Sequence, residues 1–235
     1  MDKQIKVGLI IADVMEYAAW EELIAGNAER KDFYSRKGHR YIKTINNTTY
    51  IIDSVLCGIG MINATAAAMY LVNNGAEVLL NYGLSGGISG VKRGDDVVGT
   101  SFLEHDFDLV CCGYKKCEKP EQEYIYYSDK NLTQKLLEIG DAKKSGNMAS
   151  GDRFVSDNTL RDILKNEFSV SCCDMETAGI AYVANLTNTP FTCLRRVSDD
   201  AGDDATEDYH DMNQKSMLSL AEDIYSLIIS LGVNK

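Results

Sequence analysis

The chain has 235 residues, 45% of them hydrophobic, and carries 24 basic against 35 acidic side chains for a formal charge of −11. That apolar content with only two prolines suits one globular domain over residues 1–235 and excludes a long disordered tract. The acidic balance excludes a nucleic-acid backbone or an anionic membrane as partner, because Lys115-Lys116 and Lys143-Lys144, the densest basic doublets, read as solvated faces.

Residues 4–11 are a short, nearly continuous apolar run, the pattern of a strand buried on both faces. A helix follows over about 15–25. Residues 31–56 are rich in Tyr, Ile, Thr and Val around Asn46-Asn47, which predicts a hairpin or meander and makes the sheet mixed. Residues 64–72 read as helix and 77–82 as strand, with the glycine cluster Gly83-Leu84-Ser85-Gly86-Gly87 placed where that strand stops. A strand over 97–103 is followed by an irregular stretch, 111–127, containing Pro120 and read as a long functional loop. Helices are expected over 132–139, 158–164, 175–184 and 212–231, and strands over 145–149, 170–173 and 191–197. This alternation predicts α/β layers, with no internal repeat.

Seven cysteines (57, 111, 112, 117, 172, 173, 193) are an odd number with two adjacent pairs, and they read as reduced core residues. No Cys-x-x-Cys occurs, and His39, His105 and His210 lack metalloprotease spacing, so the sequence calls for no metal. The charged start, Met1 to Lys6, runs straight into a strand and does not resemble a cleaved secretory signal. No apolar run approaches the length of a membrane span, and a cytoplasmic protein is expected.

Three carboxylates stand at element ends: Glu16 after the first strand, Glu176 at the start of a helix and Asp199 at the end of a strand, where an open α/β sheet presents polar groups to a crevice. Each alone has an ordinary explanation, Glu176 as a complement to a helix dipole and Asp199 as part of an acidic loop with Asp200, Asp203 and Asp204. Gly58-Ile59-Gly60 matches part of a dinucleotide fingerprint, but Asn63 stands where the third glycine belongs and no suitable acidic residue follows, so a dinucleotide cofactor is not expected.

Taken together, Val7-Gly8-Leu9-Ile10 leading to Met15-Glu16, Cys57-Gly58-Ile59-Gly60, Gly83-x-Ser85-Gly86-Gly87, His105-Asp106, Ser150-Gly151-Asp152-x-Phe154-Val155, Asp174-Met175-Glu176 and Arg195-x-Val197-Ser198-Asp199 resemble, in order and approximate spacing, the 5'-methylthioadenosine/S-adenosylhomocysteine nucleosidases of the nucleoside phosphorylase superfamily. The likeness spans residues 5–230. It implies a three-layer phosphorylase/hydrolase-like α/β fold with a mixed central sheet flanked by helices. It also implies cleavage of the N-glycosidic bond of methylthioadenosine, adenosylhomocysteine and possibly 5'-deoxyadenosine, with neither metal nor cofactor.

Such cleavage develops positive charge on the sugar and negative charge on the departing purine, as in glycoside hydrolysis. By resemblance Asp199 delivers a proton toward purine N7, Ser198 orients its carboxyl, Glu16 takes a proton from the attacking water, and Glu176 binds the ribose hydroxyls. Phe154 would stack on the purine and the backbone of Val155 would read its edge. Met175 would pack on the ribose, and Arg195 would hold the Glu176 region or the sugar. Ser85 and Gly86 belong to the glycine-rich loop of the site, Ile59 and Tyr209 would be this subunit's share of the 5' pocket wall, and Arg196 has no assigned role.

The related phosphorylases hold phosphate with an arginine and a serine at the positions of Asn81 and Leu84, neither of which can neutralise a dianion. Hydrolysis is therefore expected over phosphorolysis, and the alternative is a purine nucleosidase or phosphorylase acting on nucleosides with a free 5'-hydroxyl. Asp13 stands where the nucleosidases have an apolar residue near the 5' substituent, so either it points elsewhere or the pocket prefers a polar 5' group. A non-catalytic nucleoside-binding module would have no need of a water-activating base beside an acid. The family's dimers complete the 5' pocket with a partner loop, which here falls within residues 105–120 and predicts a homodimer.

Overall fold

The computed structural model describes residues 3–202, 205 and 214–233. Ten strands form one mixed sheet: β1 Lys3–Ile11, β2 Ala28–Arg30, β3 Gly38–Ile45, β4 Thr48–Leu56, β5 Val78–Gly87, β6 Asp96–Glu104, β7 Ile125–Tyr127, β8 Lys144–Ser150, β9 Cys172–Asp174 and β10 Phe191–Asp199. The order β10-β6-β8-β9-β5-β1-β4-β3-β2 also contains a direct β10–β5 pairing, so the first five strands of that path close into a barrel-like circuit from which β1 to β4 extend. β7 pairs with β6 at Ser101–Leu103, beyond the stretch Asp96–Val98 that pairs with β10.

The β3–β4 hairpin turns on Asn46 and Asn47, both with positive φ (47° and 62°), the backbone that the strand twist favours and that asparagine tolerates. The central strand β1 is parallel to both β4 and β5, and its buried residues Val7, Leu9, Ile10 and Ile11 explain the unbroken apolar run.

Among the described residues six helices cover the sheet: α1 Val14–Ile24, α2 Met61–Asn73, α3 Lys130–Leu137, α4 Asn158–Phe168, α5 Thr177–Thr187 and α6 Gln214–Ser230. On one face Trp20 and Ala19 of α1, Leu136 of α3 and Leu220, Ile224 and Leu227 of α6 pack with Leu9 and Tyr82. On the other face Ala64, Ala67 and Ala68 of α2 meet Ala178, Ala181 and Ala184 of α5, and the small side chains bring the two helices close to each other and to Ile10 and Leu79. A third cluster joins Leu160 and Leu164 of α4 to Val155, Ile88 and Leu103. None of the described helices is long and apolar enough to cross a membrane.

Two expectations need correction. The strand read as ending before the glycine cluster continues through it, because Gly83 and Gly86 pair along β10 while Gly86 and Gly87 pair with Cys173 and Cys172 of β9. Five of the seven cysteines are buried as expected, but Cys111 and Cys112 are exposed on a 3-10 turn within the 107–124 loop.

Candidate active site

The C-terminal ends of β1, β5 and β10 and the start of α5 open onto one cleft, about 750 Å³ when the solvent space at its mouth is included. Its wall contains Glu16, Ile59, Ser85, Gly86, Phe154, Val155, Met175, Glu176, Ser198 and Asp199. Tyr209 lies outside the described residues. Arg195 does not line the cleft; it is 1% exposed and sits beneath it. Of the two places expected for its guanidinium, the structure favours the one beside Glu176 over one against a sugar.

Glu16 is placed by a helix cap. Asp13 Oδ1 accepts the Met15 N–H at 2.7 Å, and Glu16 reaches back so that its Oε2 accepts the Asp13 N–H at 3.2 Å. This reciprocal box is legible as Asp-x-x-Glu at the end of a strand. The other oxygen, Oε1, accepts the Leu84 N–H at 2.7 Å. Burial raises the pKa of Glu16 above the ordinary carboxylate value, against the opposing pull of Arg195 and the two amides. Gly83 makes the approach possible, since a Cβ there would stand 2.5 Å from Oε1 and 2.6 Å from Arg195 Nη1.

Glu176 precedes the first turn of α5, and its Oε1 accepts the Gly60 N–H at 3.1 Å. Its Oε2 lies 3.5 Å from Arg195 Nη2. Burial pushes its pKa up to about 7, Arg195 opposes that rise, and the carboxylates of Asp174 and Glu16 reinforce it. Asp174 is a site residue that sequence reasoning left without a role. Its Oδ1 accepts Ser150 Oγ–H at 2.6 Å and the N–H groups of Glu176 and Thr177 at 3.0 Å each, and Oδ2 lies 3.0 Å from Arg195 Nε. Burial would raise the Asp174 value, but Arg195 and these donors outweigh it and hold the carboxyl below its ordinary range. An aspartate two residues before a helix-opening Glu-Thr was the available signal.

Arg195 is held by Asn81 Oδ1 at 2.7 Å, Thr177 Oγ1 at 2.8 Å and Leu84 O at 3.2 Å as well as by the two carboxylates. Asn81 in turn donates to Ile10 O at 2.9 Å, so both ends of its amide are engaged. Arg196, on the other face of β10, makes a two-pronged ion pair with Asp96 at 2.7 Å on each arm, which supplies the structural role missing from its sequence reading.

At the opposite end Ser198 Oγ–H donates to Asp199 Oδ2 at 2.6 Å and the Ala201 N–H donates to Oδ1 at 2.8 Å. Ala201 takes a φ of +52° to make that turn. Gly86 lies directly against this carboxylate, where a Cβ would be 3.1 Å from Oδ1. Phe154 is 40% exposed on the rim, available as a flat apolar surface, and Val155 is buried behind it. The loop bearing them is tied down by Asp152, whose Oδ1 accepts the Met61 N–H at the start of α2 and whose own N–H donates to Asp106. His105 is buried beside the same loop, with burial depressing its pKa. Among the described residues no group of three or more His, Cys, Asp or Glu side chains is placed to hold a metal ion.

The site is thus a cleft with four buried carboxylates, Glu16, Asp174 and Glu176 about the Arg195 guanidinium and Asp199 at the end of β10, beside an exposed aromatic ring. A family model described as the phosphorylase superfamily matches residues 6–231. The 5'-methylthioadenosine/S-adenosylhomocysteine nucleosidase of Anoxybacillus flavithermus is 31% identical, over 76% of this chain and 78% of that one. The aminodeoxyfutalosine nucleosidase of Campylobacter jejuni is 28% identical, over 74% and 81%. Among solved structures, the Helicobacter pylori 5'-methylthioadenosine/S-adenosylhomocysteine nucleosidase superposes with a TM-score of 0.88 at 25% identity, covering 96% of this chain and 98% of that one.

Proposed function

The chain belongs to the phosphorylase superfamily, and within it we propose a nucleosidase that hydrolyses the N-glycosidic bond of 5'-methylthioadenosine and S-adenosylhomocysteine, releasing adenine and the thioribose. The observation that carries hydrolysis over phosphorolysis is the state of Asn81 and Leu84. Asn81 is fully buried with its amide engaged at both ends, and Leu84 offers an apolar side chain. Arg195 is already neutralised by Asp174 and Glu176, and the rim arginine, Arg153, is paired with Asp157 at 2.7 Å. A phosphate dianion would enter a cleft walled by carboxylates; water would not be repelled.

In this reading Glu16 takes the proton from the attacking water, and its burial makes it a stronger base than a solvated glutamate. Glu176 holds the ribose hydroxyls and opposes the positive charge that grows on the sugar. Asp199 donates to purine N7, with Ser198 fixing which oxygen faces the base. Phe154 stacks on the purine, Val155 meets its edge through backbone atoms, and Met175, Ile59, Ser85 and Gly86 shape the wall. Arg195 is a positioning residue: it touches Glu176, not the substrate.

A homodimer is part of the same reading. Ile59 on the cleft wall and Val14 and Ile62 in the first turns of α1 and α2 are 50%, 69% and 78% exposed, and a partner's 105–120 loop would cover them. Sedimentation at micromolar concentration should give twice the chain mass; a monomer contradicts this part. A cytoplasmic setting is supported by seven unpaired thiols, which a reducing compartment preserves.

The test is chromatographic detection of free base from methylthioadenosine and from adenosine, each with and without phosphate. Release from methylthioadenosine without phosphate is expected. Release that requires phosphate would overturn the choice of nucleophile.

A further inference from the structure

Under the nucleosidase reading, β5 sets the direction of the bound nucleoside. Gly86 lies against Asp199 at the base end, whereas Gly83, three residues earlier, lies against Glu16. Three residues of strand span about 10 Å, the distance from a purine to the far side of its ribose. A base held at Asp199 therefore points its sugar toward α1, and the substituent on the exocyclic sugar carbon leaves past the first residues of that helix.

Asp13 stands there. It lines the cleft and is half-buried, and its position is fixed from two sides by the capping box with Met15 and Glu16. Oδ1 is committed to the Met15 N–H at 2.7 Å. Among the described residues no cation pairs with Asp13, whose carboxylate is met by the capping-box N–H groups of Met15 and Glu16, in contrast to Asp174 and Glu176, which share Arg195. A half-desolvated carboxylate without a counter-ion gains from a donor brought by a ligand and gains nothing from an alkyl thioether.

We infer that Asp13 is a specificity-determining residue that tilts this nucleosidase toward substrates whose 5' group is a short hydrogen-bond donor, an amine or a hydroxyl, relative to those ending in an alkyl thioether. The inference rests on the nucleosidase reading for the orientation of the nucleoside. It concerns relative rates, so thioether substrates are still cleaved.

The experiment compares kcat/KM for 5'-amino-5'-deoxyadenosine, adenosine and methylthioadenosine in the wild type, Asp13→Asn and Asp13→Ser. Both variants keep a side-chain oxygen to cap α1, so at least one is expected to fold. The amine is protonated at neutral pH, and loss of a charge-assisted hydrogen bond should lower the amine-to-methylthio ratio by about tenfold or more in each variant, with a smaller fall for adenosine. Ratios that stay within about twofold of the wild type overturn the inference. If the wild type frees adenine from none of the three, the reaction assigned above is wrong. Dissociation constants of the same nucleosides, measured by calorimetry on the same proteins, then decide Asp13 by the same tenfold criterion.

Discussion

Replacing Arg195 with methionine keeps nearly the same volume and removes the cation about which the site is built. The guanidinium lies 3.0 Å from Asp174 and 3.5 Å from Glu176 and donates to Asn81, Thr177 and Leu84, all out of solvent. Breaking a buried pair by deleting one partner costs about 3–5 kcal/mol, because the surviving charges keep their desolvation without compensation. For a chain of this size that corresponds to a fall in Tm of roughly 10 °C. The sign of the pH dependence follows from Asp174. Its folded pKa is depressed, so its contribution to wild-type stability is present above the unfolded value and is lost as pH falls through the folded one. Without Arg195 the upward push of burial is unopposed by charge, Asp174 takes up a proton at higher pH, and the stability deficit should be larger at about pH 8 than at about pH 5. Urea unfolding of Arg195→Met and wild type at both pH values measures this. A deficit under about 1 kcal/mol, or one unchanged by pH, would refute the account of Arg195 as the compensating charge.

Asp199→Asn and Glu16→Gln should each lower turnover by about 10²–10⁴ while leaving nucleoside binding measurable by calorimetry, and near wild-type turnover in either would remove its assigned role. Glu176, whose pKa is pushed up to about 7, should make kcat/KM rise with pH through that value, and a profile flat from about pH 6 to 8 would contradict it. Its folded value stands above the ordinary glutamate value of 4.5, so between about 4.5 and 7 the folded state holds the extra proton and stability declines as pH rises; Glu176→Gln should abolish that slope in urea unfolding. Gly83→Ala puts a methyl 2.5 Å from Glu16 Oε1, and a loss of about 1–3 kcal/mol together with loss of turnover is expected, whereas a fully active, equally stable variant would show that the approach is not needed.

Much of the cleft was legible because its residues sit at element ends, where pattern and chemistry coincide. Glu16 follows an apolar strand, Glu176 precedes a helix, Asp199 ends a strand, and the structure places all three on one wall. Where the reading failed, tertiary contact had replaced a local rule. The glycines of β5 looked like a strand end because glycine weakens strands, yet β9 and β10 supply the pairing from far along the chain, and the missing Cβ of Gly83 is what admits two charged side chains. Arg195 was readable as a charged residue in a strand of buried neighbours, which demands partners, but Asn81 and Leu84 lie more than a hundred residues away in sequence. Asp174 was missed because its work is done through backbone N–H groups that no residue pattern displays.

Asp174 and Glu176 lie two residues apart, are both buried and share one guanidinium, yet their carboxyls move in opposite directions. Proximity to Arg195 cannot be the cause, since it acts the same way on both. The difference lies in the remaining donors. Asp174 accepts from Ser150, Thr177 and two backbone amides, a set that stabilises the charged form, whereas among the described residues Glu176 accepts a hydrogen bond from the Gly60 amide alone and faces Glu16. One carboxylate is thereby fixed as a permanent charge that anchors the arginine and the start of α5. The other is left poised near neutrality at the cleft surface, where a ribose hydroxyl can supply the donors it lacks and a growing positive charge on the sugar can stabilise its ionised form. The division of one cation between a saturated and an unsaturated carboxylate therefore separates the structural group from the reactive one.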